Sequence, residues 1–198
     1  MSDQAVNRGR RRFLVSATTV VGAVGVVGIA TPFLASWQPS ARARAAGAPV
    51  TADISRLAPG QQMTIEWRGK PVWVVRRTPE MIADIRAIPP AELQDPESLR
   101  PQQPPYVDAV LRSIKPEYVV LVGICTHLGC SPGYRPEIGA ADLGADWPGG
   151  YLCACHGSKF DLAGRVFTGV PAPSNLEVPP HRYESEQVLV VGVDEEAA

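Results

Sequence analysis

Two short boxes, Cys125-Thr126-His127-Leu128-Gly129-Cys130 and Cys153-Ala154-Cys155-His156-Gly157-Ser158, hold all four cysteines and two of the three histidines of this chain. No other feature restricts the fold so tightly, because two loops distant in sequence must meet if these groups act as one centre. A Cys-x-His in the first box and a Cys-x-x-His in the second can present two thiolates and two imidazoles to a metal, leaving Cys130 and Cys155 as a second, equivalent pair.

Two chemistries accept such a set. A structural zinc takes tetrahedral S2N2 coordination, but its ligands usually cluster by type, as Cys-x-x-Cys and His-x-x-x-His, whereas each box here mixes one Cys with one His. The mixed order fits a two-iron centre better, with one iron on two thiolates and the other on two imidazoles, so that each loop serves both irons. On that reading Cys125 and Cys153 hold one iron, and His127 and His156 the other.

Taken with Cys153-Ala154-Cys155-His156-Gly157-Ser158-Lys159-Phe160-Asp161 and Gly169-Val170-Pro171-Ala172-Pro173 downstream, the first box carries a resemblance. The sequence resembles the Rieske iron-sulfur proteins, and among them the subfamily of bacterial cytochrome bc complexes (ubiquinol-cytochrome c reductase, respiratory complex III). The resemblance implies a mainly β chain with a single N-terminal transmembrane helix, a flexible hinge and a Rieske-type antiparallel β head, into which a cluster-binding subdomain of about residues 123–174 is inserted. It implies a [2Fe-2S] Rieske cluster on Cys125, His127, Cys153 and His156, and a disulfide between Cys130 and Cys155. Such a bond persists in an oxidising compartment and would restrain two loops that have little core of their own.

By the same resemblance, His156 hydrogen-bonds ubiquinol and accepts its proton, and His127 is the other exposed imidazole. Ser158 donates to a cluster sulfide and raises the reduction potential. The loop containing Gly169, Pro171 and Pro173 covers the cluster, although Val170 interrupts the familiar Gly-Pro-Ala-Pro. Leu128 is either an exposed apolar contact with cytochrome b or a shield for the cluster. Many members carry a tyrosine that donates to a ligand sulfur where this chain has Phe160. One hydrogen bond contributes about 1 kcal/mol, and about 59 mV is a tenfold change for a one-electron couple, so its loss lowers the potential by some tens of millivolts.

The activity implied is that of an electron-transfer subunit, inactive alone. It takes an electron and a proton from ubiquinol and passes the electron to a c-type cytochrome by head movement. Its setting is a dimeric membrane complex with cytochrome b that contributes to a proton gradient. Three other readings compete: a Rieske subunit of another periplasmic oxidoreductase such as arsenite oxidase, a soluble Rieske ferredoxin, and a zinc-stabilised interaction module. The bc-like boxes, the anchor and the second cysteine pair favour the first activity. A net charge of -1 argues against a nucleic-acid partner, which calls for a basic patch.

At the N-terminus, Arg8, Arg10, Arg11 and Arg12 precede an uncharged run from Phe13 to Ala41 that is mostly apolar through Leu34. A helix over 13–34 would extend roughly 33 Å, enough to cross a bilayer core. The arginines predict a cytoplasmic N-terminus, which puts a single-pass anchor over 13–37 in the bacterial inner membrane and the head in the periplasm. Arg10-Arg11-Arg12-Phe13-Leu14 also resembles the twin-arginine signal for export of folded proteins, which suits a head that must cross with its cluster assembled. Retention of this segment is expected over cleavage, since the run exceeds a usual signal h-region. Gly22, Gly25 and Gly28 would allow close helix packing. Residues 38–50, rich in Ala and Arg, read as a hinge; alanine favours helix there, while Gly47 and Pro49 favour a break.

The remaining 51–198 suffices for one compact domain, and its many prolines argue for loop-rich β structure. Met63–Trp67 and Val72–Val75 predict a hairpin across 68–71. Thr78-Pro79-Glu80 predicts a capped short helix, and 117–123 and 188–193 read as buried strands. Within the polar 131–150 segment, 140–143 suggests a short surface helix. His181, among prolines and outside any ligand spacing, reads as a surface or loop histidine.

Overall fold

In a computed structural model that describes residues 7–194, the chain divides into two compact units, Met1–Ala45 and Ala46–Ala198. The first is dominated by α1 (Arg8–Ser36), which starts within the arginine cluster because the Asn7 side chain caps it, accepting from the Arg10 amide at 3.1 Å. None of its described residues is buried. The Thr18, Thr19 and Thr31 hydroxyls donate to the carbonyls of Leu14, Val15 and Val27 at 2.7–2.8 Å, which satisfies polar groups that an apolar solvent could not. No atom lies within 4 Å of a Cβ placed at Gly22, Gly25 or Gly28, so that stripe stays open among the described residues. The short α2 (Ala41–Ala46) follows and ends before Gly47.

The second unit is built on three antiparallel sheets. β1 (Val50–Asp53), β9 (Val188–Val191) and β8 (His181–Tyr183) form one, with Val50 opposite Val191, so Val50 belongs to the domain rather than to the hinge. β2 (Gln62–Trp67), β3 (Lys70–Arg76) and β4 (Tyr118–Val122) form the central sheet. β5 (Gly133–Arg135), β6 (Gly150–Cys153) and β7 (Ser158–Asp161) form the third. The β2–β3 turn is tighter than the sequence implies. Only Arg68 and Gly69 lie outside the ladder, both at positive φ, as the preferred two-residue hairpin requires.

Alternation explains the layering. Val72, Val74, Val120 and Val122 pack with Ala52, Leu189 and Val191 of the first sheet. Their neighbours Trp73, Val75, Val119 and Leu121 point the other way, toward Tyr151, Cys153 and Phe160 of the third. Because successive side chains face opposite sides, a strand covered on both faces must be apolar throughout, and β4 is buried at every position. Each such side chain contributes about 1.5–3 kcal/mol. Trp73 stacks on Tyr151 with centroids 4.9 Å apart. At the end of β4 a Cβ on Gly123 would overlap the Trp73 indole, so glycine lets the chain leave the sheet toward Cys125.

α3 (Pro79–Ala87) carries the expected cap, with Thr78 accepting from the Met81 amide. It packs through Ile85 against Leu111, Leu162 and Ala163. Two sequence expectations fail. Residues 140–143 make one turn, closed by Gly144 donating to Ala140 at 3.0 Å, and no helix follows because Gly144 adopts φ 100°. His181 is fully buried. Its place on β8 opposite Val191 puts it inside the sheet packing, where its Nδ1 meets the Pro179 carbonyl at 2.8 Å and Nε2 finds no partner among the described residues.

Candidate metal centre

The two boxes fold alike. The first leaves the central sheet and makes a single turn in which the Gly129 amide donates to the Cys125 carbonyl at 3.0 Å. The second is the β6–β7 connection, opened by Cys153 and closed by its ladder partner Ser158, with the Gly157 amide donating to the Cys153 carbonyl at 2.8 Å. Both glycines have positive φ, the conformation that lets a tight turn reverse at no steric cost. Each loop thus buries its first cysteine and lifts its histidine. Cys125 and Cys153 are each 2% exposed, His127 is half-buried and His156 is exposed.

The histidine rings meet edge to face with centroids 4.8 Å apart. Cys130 and Cys155 form a disulfide that joins the loops, with Cα atoms 6.7 Å apart. The Cys153 sulfur lies within 4.8 Å of both disulfide sulfurs, but those are already bonded, so the thiols left to bind metal are Cys125 and Cys153. Burial pushes the Cys125 thiol up, and the neighbouring Cys153 adds to the shift, while the His127 backbone and, less, Ser158 oppose it. The buried Cys125 thiol keeps its proton in this setting unless a cationic centre takes its place. Two buried soft sulfur donors and two more exposed imidazoles, one of each on either loop, fit a two-iron group with unlike ligand pairs.

The surroundings place the other residues singled out in the sequence. Ser158 is fully buried and its Oγ accepts from the Ala172 amide at 3.0 Å. Phe160 is fully buried in the core that contains both free cysteines. In the third loop Gly169, Pro171 and Pro173 are exposed while Ala172 is buried. Thr126 ties this loop to the first box by donating to the Ser174 carbonyl at 2.7 Å. Leu128 is 71% exposed, at the tip of its loop.

Several residues that frame the site have no mark in the sequence. Arg112 is fully buried and donates to the carbonyls of Ala163, Gly164, Gln102 and Leu176 and to the Gln103 side chain, which fastens the exit of β7 and the end of the third loop. Gln94 grips the third loop from outside, reaching the Phe167 and Ala172 carbonyls. Their partners are far away along the chain, so only an unexpectedly polar residue in a half-apolar segment could have hinted at them.

Paired loops with two thiols and two imidazoles, set on a sandwich of antiparallel sheets, define a Rieske-type iron-sulfur protein. Residues 48–180 match the Rieske [2Fe-2S] domain family, and residues 1–40 match the family described as ubiquitinol-cytochrome C reductase Fe-S subunit TAT signal. The chain is 60% identical to the ubiquinol-cytochrome c reductase iron-sulfur subunit of Allochromatium vinosum, an alignment covering 100% of this chain and 95% of that one. It is 42% identical to the protein of the same name from Rhodospirillum rubrum, over 92% and 91% of the two chains. A chain from a hyperthermophilic respiratory Complex III structure aligns over 88% of this chain and 98% of its own, at 26% identity and TM-score 0.47. The chain belongs to the Rieske [2Fe-2S] family, as one of its ubiquinol-cytochrome c reductase iron-sulfur subunits.

Proposed function

We propose that this chain is the electron-transfer subunit of a quinol-oxidising cytochrome bc complex. The observation that carries the reading is the pair of buried free thiols on the same two turns that bring the His127 and His156 rings together, of which His156 is exposed. Cys125 and Cys153 hold one iron of a [2Fe-2S] cluster and His127 and His156 hold the other. When bound, that group supplies one-electron transfer at a potential suited to quinol oxidation.

The chain's own residues supply the rest. His156 presents the ring nitrogen not committed to metal, hydrogen-bonds the ubiquinol hydroxyl and accepts its proton. Ser158, kept dry in the core, favours added electron density on sulfur by donating its hydroxyl proton. Phe160 offers no such donor. Leu128, Gly169, Pro171 and Pro173 form the apolar cover that excludes water and docks on cytochrome b.

α1 is long and apolar enough to cross a membrane, at about 43 Å for its length. We take residues 13–37 as a single inner-membrane span with 1–12 in the cytoplasm and 51–198 in the periplasm. Residues 38–49, ahead of β1, act as the hinge; a helix as short as α2 is marginal by itself, which supports such a role. The head then moves between cytochrome b and a c-type cytochrome within a dimeric complex. The complex translocates protons, and the subunit alone does not turn over quinol.

Low-temperature EPR on membranes after ascorbate reduction, with and without a quinol-site inhibitor, tests the reading. A rhombic signal with average g below 2 that the inhibitor perturbs is expected. A signal that the inhibitor leaves unmoved points to a different oxidoreductase, and metal-loaded protein carrying zinc without any signal overturns the redox reading.

A further inference from the structure

The third loop is shaped by a residue that belongs to none of the cluster motifs. Gln94 lies just after a turn of 3-10 helix (Pro90–Glu92). Its Nε2 donates to the Phe167 and Ala172 carbonyls, both at 3.1 Å. One amide group thereby joins the two legs of the loop at its neck. The main chain beside it reinforces the grip, with the Gln94 amide on the Val166 carbonyl at 3.0 Å and the Thr168 amide on the Glu92 carbonyl at 2.8 Å.

Ala172 is also the residue whose amide donates to Ser158 Oγ, and Ala172 and Ser158 are both fully buried. A hydroxyl has one proton to give and accepts through its lone pairs. When a fixed amide occupies an acceptor direction, the proton is left to point elsewhere. Ser158 is the ladder partner of the buried free Cys153 and is itself fully buried, so the acceptor its surroundings offer is sulfur. The position of Ala172 therefore decides where the Ser158 proton goes.

We propose that Gln94 is a positioning residue for the electron-transfer site: by cinching Phe167 and Ala172 it holds the Ala172 amide on Ser158 Oγ, aims the Ser158 proton at the cluster sulfurs and raises the reduction potential. The inference rests on the cluster-holding function proposed above. It assigns Gln94 no contact with iron or quinol; its effect passes through Ala172 and Ser158. A merely structural role for Gln94 would loosen the loop equally whether or not residue 158 carries a hydroxyl.

The test is a redox titration of the EPR signal in membranes containing the whole complex, for wild type, Gln94→Met, Ser158→Ala and the double variant. Gln94→Met is expected to lower the midpoint by a threefold to tenfold change in the reduction equilibrium, about 28–59 mV for a one-electron couple. Ser158→Ala lowers it at least as far, and the double variant matches Ser158→Ala alone, because the two substitutions break one relay. A Gln94→Met midpoint equal to wild type overturns the proposal. So does a Gln94→Met shift that is as large in the Ser158→Ala background as in wild type. Should Gln94→Met hold too little cluster to titrate, Gln94→Asn, which keeps the amide but withdraws it by one methylene, is read in the same way. A wild-type complex without any Rieske signal would instead sink the cluster function itself, and this inference with it.

Discussion

Gly129 and Gly157 hold the same place in the two cluster loops: each donates its amide to the carbonyl of a buried cysteine, Cys125 at 3.0 Å and Cys153 at 2.8 Å, and each does so at positive φ, 85° and 75°. The metal centre is thus built from one turn used twice. No atom lies within 4 Å of a Cβ at either glycine among the described residues, so a side chain there meets backbone strain alone. Gly157→Ala is expected to cost about 1–2 kcal/mol and to lower the melting temperature by a few degrees. A calorimetric scan identical to wild type would show that the turn relaxes without penalty.

The Cys130–Cys155 disulfide ties these turns across a sequence separation of 25 residues. Replacing both cysteines with serine is expected to destabilise the protein by about 3 kcal/mol, through freedom returned to the unfolded chain. Urea unfolding of the two purified proteins checks this, and the loss should be matched by reduction of the wild type.

Phe160 stands fully buried in the core that contains Cys125 and Cys153. On the proposed cluster assignment, Phe160→Tyr offers a hydroxyl to the sulfurs of Cys125 and Cys153, where one hydrogen bond is worth about 1 kcal/mol. The midpoint potential is expected to rise by some tens of millivolts, at about 59 mV per tenfold change. An unmoved midpoint, with the hydroxyl seen to reach sulfur, would remove Phe160 from the residues that set the potential.

His181 gives the fold a sensitivity to acid. Burial holds its imidazole below the usual value, more than the Pro179 carbonyl raises it. The unfolded chain therefore binds the proton first. Stability is complete above the unfolded value of about 6.5 and declines as pH falls from there toward the lower folded value, since the unfolded state holds more protons in that window. Urea midpoints measured at pH 7.5 and 5.5 should differ more for wild type than for His181→Gln; equal differences would place the acid sensitivity elsewhere.

Arg112 carries a fully buried guanidinium whose pKa desolvation lowers to about 10. Its four carbonyl partners lose their donor in Arg112→Leu, and a buried group left unpaired costs about 1–3 kcal/mol. A destabilisation of at least about 3 kcal/mol is expected, with faster hydrogen exchange in the 163–176 segment. Unchanged exchange there would show that the loops hold without this clasp.

The chemistry of the site was legible in the chain because each box packs its donors into a few adjacent residues, and local turns place such residues whatever surrounds them. The Thr78 cap, the buried strands and the apolar N-terminal helix were legible for the same reason, since propensity and alternation act over short range. What tertiary structure alone decided lies at long range. His181 looked like a loop residue until the pairing of β8 with β9 buried it. Residues 140–143 looked helical until Gly144 closed the turn. Gln94 is an ordinary polar residue in the sequence, and it acquires a role only because folding brings it against carbonyls 73 and 78 residues away. Ligand identity is a property of neighbouring atoms along the chain, whereas the orientation of a hydroxyl proton depends on which distant backbone groups the core presses against it.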